Sequence, residues 1–127
     1  MSKFTGAFVL VGLAVSALAG GAAQAQDAAA GKKVFMRCIA CHAVQPTAGP
    51  KMGPNLSGVV GRKSGAAAGF KYSAAMQKAK LTWNEATLDK WLAKPSTVVP
   101  GTSMAFPGLS NPADRANVIA YLKKPVP

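Results

Sequence analysis

The stretch Arg37-Cys38-Ile39-Ala40-Cys41-His42 holds both cysteines and the only histidine of the chain. Four chemistries use such a pair. A structural zinc ion takes four protein ligands, and two Cys with one His leave that set short. A thioredoxin-like redox pair sits at a strand-to-helix turn, whereas the flanking residues here have helical periodicity. A disulfide across so small a loop stabilises little. Covalent haem attachment uses Cys-x-x-Cys-His itself. Residues i and i+3 of a helical turn share one face, so both thiols can reach the two vinyl groups along one side of a porphyrin. The residue after the second Cys is then held over the ring, where its imidazole can bind iron. Haem attachment therefore explains why His42 stands directly after Cys41.

The chemistry of such a group depends on the ligand at the far side of the iron. With no second His, the candidates are Met, Lys, Tyr or an open site. Met1 is the initiator, Met36 lies on the attachment segment, and Met52 is too near His42 to cross to the far face. Met76 sits in a helix-like "SAAMQKAK", where it reads as core filler. Met104 sits in "PGTSMAFPGL", an irregular segment that Gly and Pro can hold against a ring. Met104 is thus the expected sixth ligand. A thioether favours Fe(II) and raises the reduction potential. With both axial sites filled, the remaining chemistry is one-electron exchange at the exposed haem edge.

The elements that must position these residues are helical. From about Ala28 to His42 the sequence predicts one helix, with Val34, Phe35, Cys38 and Ile39 on one side. The Gly/Pro-rich "QPTAGPKMGPNLSGVVGRKSG" follows, a loop too long for a compact domain unless something large fills the space beneath it. A short helix is expected from Ser73. "LTWNEATLDKWLAKP" predicts another, with Thr82 and Glu85 at capping-box spacing, Leu88, Trp91 and Leu92 as the apolar stripe, and Pro95 as the stop. "NPADRANVIAYLKKP" predicts the last, with Asn111 as cap, Pro112 in the first turn and Val118, Tyr121 and Leu122 inward. The class expected is all-α, three to five helices joined by long loops around one haem.

The first 25 residues read as a cleavable export signal. Lys3 precedes a 14-residue apolar run, Ala7 to Gly20, which is short for a membrane span. Ala23-Gln24-Ala25 suits signal cleavage, leaving residues 26–127 as the domain. Removing Lys3 from the 15 basic residues, against 4 acidic ones, leaves a net charge of +10. Export and the lack of aromatic interleaving argue against nucleic acid. A bacterial periplasm, a monomer and at most peripheral membrane contact are expected.

The motifs resemble class I cytochrome c, the mitochondrial and bacterial c2 type. The likeness runs from Gly31 to Lys124 through "GKKVFMRCIACH", "GPNLSGVVGRKSG", "GFKYS", "LTWNEATLDKWLAKP", "VPGTSMAF" and "VIAYLKK". It implies thioether bonds at Cys38 and Cys41 and axial ligation by His42 and Met104. It implies that the Pro54 carbonyl accepts a hydrogen bond from the other His42 nitrogen. Arg62, Tyr72 and Trp83 resemble residues around the inner haem propionate, and Thr102 another propionate and loop contact. Phe106 resembles the aromatic flanking the haem beside the Met loop. Gly31 and Phe35 resemble residues that pack on Val118 and Tyr121 of the last helix.

The chain also departs from that pattern. Trp91 stands where the family usually has a Tyr near the Met sulfur, and an indole donates but cannot accept. Met76 stands where many members have Asn. Ser96, Ser103, Ser110 and Asn111 replace lysines usual at the Met-side rim, while Lys32, Arg37 and Lys51 can still form a basic one.

The function expected is a soluble periplasmic one-electron carrier, not an enzyme. Its implied partners are a bc1-type complex as donor and a terminal oxidase, reaction centre, peroxidase or dehydrogenase, docking at the basic haem edge. The rival from the enzyme class is a haem peroxidase or gas sensor with a labile sixth ligand. A third reading is a basic binding module that uses the Cys pair only for stability.

Overall fold

A computed structural model describes residues 26–127; the expected export signal and its cleavage site lie outside the described residues. Five helices occur among the described residues: α1 (Ala28–Phe35), α2 (Ala74–Ala79), α3 (Glu85–Ala93), α4 (Pro95–Val98) and α5 (Pro112–Lys123). The only β pairing among them is an isolated antiparallel bridge between Lys63 and Thr82. The all-α expectation holds.

Helices α1 and α5 cross at Gly31. A β-carbon there would run into the Asn117 backbone carbonyl and lie 2.9 Å from the Tyr121 β-carbon. Gly costs roughly 1 kcal/mol against Ala inside a helix, and the close approach is what it permits here. One turn on, the Phe35 and Tyr121 rings pack with centroids 5.3 Å apart. The backbone N–H of Asp27 donates to Asn117 Oδ1 at 3.0 Å, while its own carboxylate caps α1 by accepting from Ala29 and Ala30.

Helix α3 is tied to α5 through side chains. Arg115 Nε donates to Asp89 Oδ1 at 2.7 Å, and its Nη1 donates to the carbonyls of Leu109 and Ser110. Lys123 pairs with Glu85 at 2.7 Å on the exposed side of the same helix pair. Between them the chain turns at Gly108, whose φ is +116° and whose missing β-carbon would overlap the Ala93 carbonyl. That turn lets Leu109 donate to the Leu92 carbonyl at 2.7 Å and bury its side chain.

Two local expectations are corrected. Helix α1 ends at Phe35 instead of near His42. Beyond it the chain tightens: the N–H groups of Arg37, Cys38 and Cys41 donate to carbonyls three residues back. This 3₁₀-type winding ends the regular α-helix before the Cys pair, yet still closes a turn from Cys38 to Cys41. The capping box at Thr82 and Glu85 does not form. Asn84 caps α3, its Oδ1 accepting from Thr87 at 2.8 Å. Thr82 is drawn instead into the bridge with Lys63, whose Nζ donates to Thr82 Oγ1 at 2.7 Å. Pro95 does end the α3 run, and it also opens α4 at its first position.

Candidate haem site

The long loops do not collapse onto the helices. They enclose a cavity of about 360 Å³. Its inner wall is apolar, with Phe35 from α1, Leu88 and Leu92 from α3, and Val118 and Leu122 from α5. Cys38 and Cys41 line it, not joined to each other in a disulfide, with His42 beside them. Burial pushes the Cys38 thiol up, as does neighbouring Cys41; the Arg37 charge works the other way.

His42 is oriented by its backbone surroundings. Its Nδ1 lies 2.8 Å from the Pro54 carbonyl oxygen. A carbonyl can only accept, so Nδ1 carries the proton and Nε2 keeps a free lone pair. Burial is the main cause that lowers the affinity of the ring for a second proton; the Pro54 hydrogen bond opposes it and the Lys51 charge adds to it. Gly53 makes this placement possible. A β-carbon there would collide with His42 Cε1 and lie 2.8 Å from Nδ1. Gly53 in turn donates its N–H to the Cys41 carbonyl at 2.8 Å, which lays the 51–54 segment against the Cys turn.

Arg62 supplies a second polar feature. Nη1 donates to the Ser57 carbonyl at 3.2 Å and Nη2 to the Asn55 carbonyl at 3.0 Å. Its Nε is buried with no partner. A buried guanidinium nitrogen on a cavity wall is what a carboxylate of a bound group would satisfy. Tyr72 is placed alike: its hydroxyl oxygen accepts from the Ala67 N–H at 3.0 Å, leaving its own proton to donate. Trp83 and Trp91 also line the cavity, their rings tilted with centroids 5.2 Å apart.

The Met104 segment is a chain of tight turns. Met104 N–H donates to Thr102 Oγ1 at 3.2 Å, and Phe106 N–H to the Met104 carbonyl at 3.0 Å. Thr102, Met104 and Phe106 all face the same cavity as His42 and Pro54. Met104 is partly buried, whereas Met76, from α2, is buried in the core.

Sequence reasoning missed three residues of this site. Phe70 lines the cavity and meets Tyr72 edge-on, with centroids 4.9 Å apart and planes at 83°. The aromatic spacing of "GFKYS" was the available signal. Gly53 left only its position before Pro54 as a clue. Met52, set aside as a ligand, stands at the cavity mouth with 81 % of its surface exposed.

The cytochrome c family model matches residues 28–124. The chain belongs to the cytochrome c family. Cytochrome c2 of Rhodomicrobium vannielii is 56 % identical over 98 residues, 77 % of this chain and 78 % of the relative. Cytochrome c2 of Rhodoblastus acidophilus is 51 % identical over 100 residues, 79 % of this chain and 94 % of the relative. Among solved structures, cytochrome cH from Methylobacterium extorquens superposes with a TM-score of 0.72 at 50 % identity. That match covers 76 % of this chain and 97 % of the other. This cytochrome is a small electron carrier, not an enzyme, and its prosthetic group is one covalent haem c. The cavity fits that group: a Cys-x-x-Cys-His turn, a neutral imidazole with a free Nε2, and the unpaired Arg62 Nε all face it.

Proposed function

We propose that this cytochrome is a periplasmic one-electron carrier whose haem is attached at Cys38 and Cys41 and ligated by His42 and Met104. The single observation that carries the ligand assignment is the 2.8 Å bond from His42 Nδ1 to the Pro54 carbonyl. It fixes the tautomer, stops the ring from rotating and leaves Nε2 as the only lone pair. Met76 lines the same cavity but is buried in the core on α2; Met104, partly buried on an irregular segment of the wall, is the soft donor we assign to face it.

When bound, the haem supplies one-electron exchange between ferrous and ferric iron. The rest is done by the chain. The Thr102–Met104–Phe106 turns hold the thioether in place without a helix. Phe106 and the Trp83–Trp91 pair supply apolar surface that keeps water from the metal. Arg62 Nε and the Tyr72 hydroxyl proton are the donors available to propionate oxygens, with Thr102 a further contact.

Residues 1–25 act as the export signal, and residues 26–127 are the mature domain. The Lys3 n-region, the short apolar run and Ala23-Gln24-Ala25 support this. Haem attachment outside the cytoplasm and the basic balance suit exchange with membrane-bound donor and acceptor complexes. Three measurements on protein from a maturation-competent host test the proposal. The mass should equal residues 26–127 plus one haem. The oxidised protein should show the weak red band of a Met–Fe(III) bond, and Met104→Ala should abolish it. A band that survives in Met104→Ala would remove Met104 from the site.

A further inference from the structure

The loop that follows His42 is tied back to the Cys turn by backbone at two points. The N–H groups of Gly53 and Leu56 donate to the carbonyls of Cys41 and Ala43, at 2.8 Å each. Farther out the loop runs through Gln45-Pro46-Thr47-Ala48-Gly49-Pro50, where two prolines have no N–H to give. There one side chain takes over. Asn55 Nδ2 donates to the Gln45 carbonyl at 2.8 Å and to the Ala48 carbonyl at 2.6 Å. Asn55 Oδ1 accepts from the Ser57 N–H at 2.7 Å. Carbonyls only accept and a backbone N–H only donates, so these partners fix which end of the side chain is nitrogen. Both amide hydrogens and the amide oxygen are in use.

The backbone that Asn55 holds reaches both polar anchors of the haem site. The Pro54 carbonyl, 2.8 Å from His42 Nδ1, belongs to the same planar peptide unit as the Asn55 nitrogen. Turning the backbone at Asn55 therefore turns that carbonyl. The carbonyl of Asn55 itself accepts from Arg62 Nη2 at 3.0 Å. Ser57, whose N–H the Asn55 side chain holds, offers its carbonyl to Arg62 Nη1 at 3.2 Å. Asn55 is not among the residues that line the cavity, so whatever it does there it does through Pro54 and Arg62.

We propose that Asn55 is a positioning residue for electron transfer: its side chain aims the Pro54 carbonyl at His42 and sets the two carbonyls that fix the Arg62 guanidinium. This rests on the assignment of His42 as an axial ligand. The amide is needed for its two donors. A carboxylate of the same shape would keep an oxygen for Ser57 but turn its other oxygen on the Gln45 and Ala48 carbonyls, which can only accept. A leucine would leave all three backbone groups without their partner. In either case the loop loses its outer tie, and the peptide unit that orients the imidazole is free to turn.

His42 is the only histidine, so one isotope-labelled ring reports the outcome. The experiment follows exchange of its Nδ1–H with deuterium by NMR in the reduced holoprotein. Asn55→Leu and Asn55→Asp should each speed that exchange about tenfold or more, the effect of two lost hydrogen bonds. Arg115→Ala, a change in the α3–α5 contact, controls for plain loss of stability. Exchange in the Asn55 variants no faster than in Arg115→Ala, compared at equal residual stability in urea, overturns the proposal. So does wild-type exchange in Asn55→Asp, which alters the shape least and serves alone if Asn55→Leu does not fold around haem. Asn55→Leu and Arg62→Met together should lower the urea midpoint by less than the sum of the two separate changes. Strictly additive losses overturn the Arg62 half of the proposal. A wild-type ring N–H without protection would bring down the His42 assignment along with it. Protection in the wild type that the Asn55 variants leave unchanged removes Asn55 alone.

Discussion

The Nδ1 atom of His42 lies 2.8 Å from the carbonyl oxygen of Pro54, and Gly53, the residue before that proline, leaves only enough room for the ring. The orientation of the imidazole is therefore built by backbone on two sides. Gly53→Ala inserts a β-carbon 2.8 Å from Nδ1 and closer still to Cε1, against an imidazole ring that its bond to the Pro54 carbonyl holds in place. It should destabilise the holoprotein by about 1–3 kcal/mol in urea unfolding. Wild-type stability in Gly53→Ala would mean that the ring does not pack there.

Arg62 is expected to matter for potential as well as stability. Its guanidinium is fixed by the Ser57 and Asn55 carbonyls, and the buried Nε has no partner among the described residues. Arg62→Met should lower the midpoint potential, since removing a nearby positive charge eases the ferric state. It should also cost about 1.5–3 kcal/mol of stability, the range for hydrogen bonds to a charged group. Spectroelectrochemistry checks the first outcome and urea titration the second. A potential unchanged or raised would show that Nε does not face a propionate.

Two ion pairs join α3 to α5, and they should not be worth the same. Arg115 meets Asp89 at 2.7 Å while also capping the Leu109 and Ser110 carbonyls, and its side chain is only 13 % exposed. Lys123 and Glu85 are each nearly half exposed. Arg115→Ala should cost about 1–3 kcal/mol, because the carbonyls lose a charged donor. Lys123→Ala should cost less than about 0.5 kcal/mol. Equal losses in urea titration would contradict this ranking.

Lys80 is the one non-glycine residue with positive φ among the described residues, at +47°, and it ends α2. A β-carbon in that region costs roughly 1–2 kcal/mol, whereas Gly adopts it freely. Lys80→Gly should raise stability by up to about 1 kcal/mol, less what the more flexible unfolded chain regains. A loss of stability would show that the Lys80 side chain makes contacts which outweigh the strain.

Much of the site was legible because its chemistry depends on residue type and spacing. Cys38, Cys41 and His42 stand out by their spacing, Met104 is set apart from Met76 by its Gly/Pro-held segment, and all of these side chains line the cavity. The helix framework was legible too: Asn111 and Pro112 start α5 where expected, and Pro95 stops the α3 run. What was hidden depends on tertiary context. The end of α1 at Phe35 reflects the tight turn closed by Cys38 and Cys41, which helical periodicity does not reveal. Asn84 displaced Thr82 as the α3 cap because Thr82 is claimed by Lys63, 19 residues away. Gly53 is hidden because nothing in a glycine states which atom it must avoid.

The most direct measurement is exposure of the reduced holoprotein to carbon monoxide at neutral pH. If His42 and Met104 occupy both axial positions, the absorption spectrum of the wild type should not change over minutes, while Met104→Ala should bind the gas at once. Rapid binding by the wild type would contradict the account, because an open iron belongs to a sensor or a peroxidase rather than to a carrier.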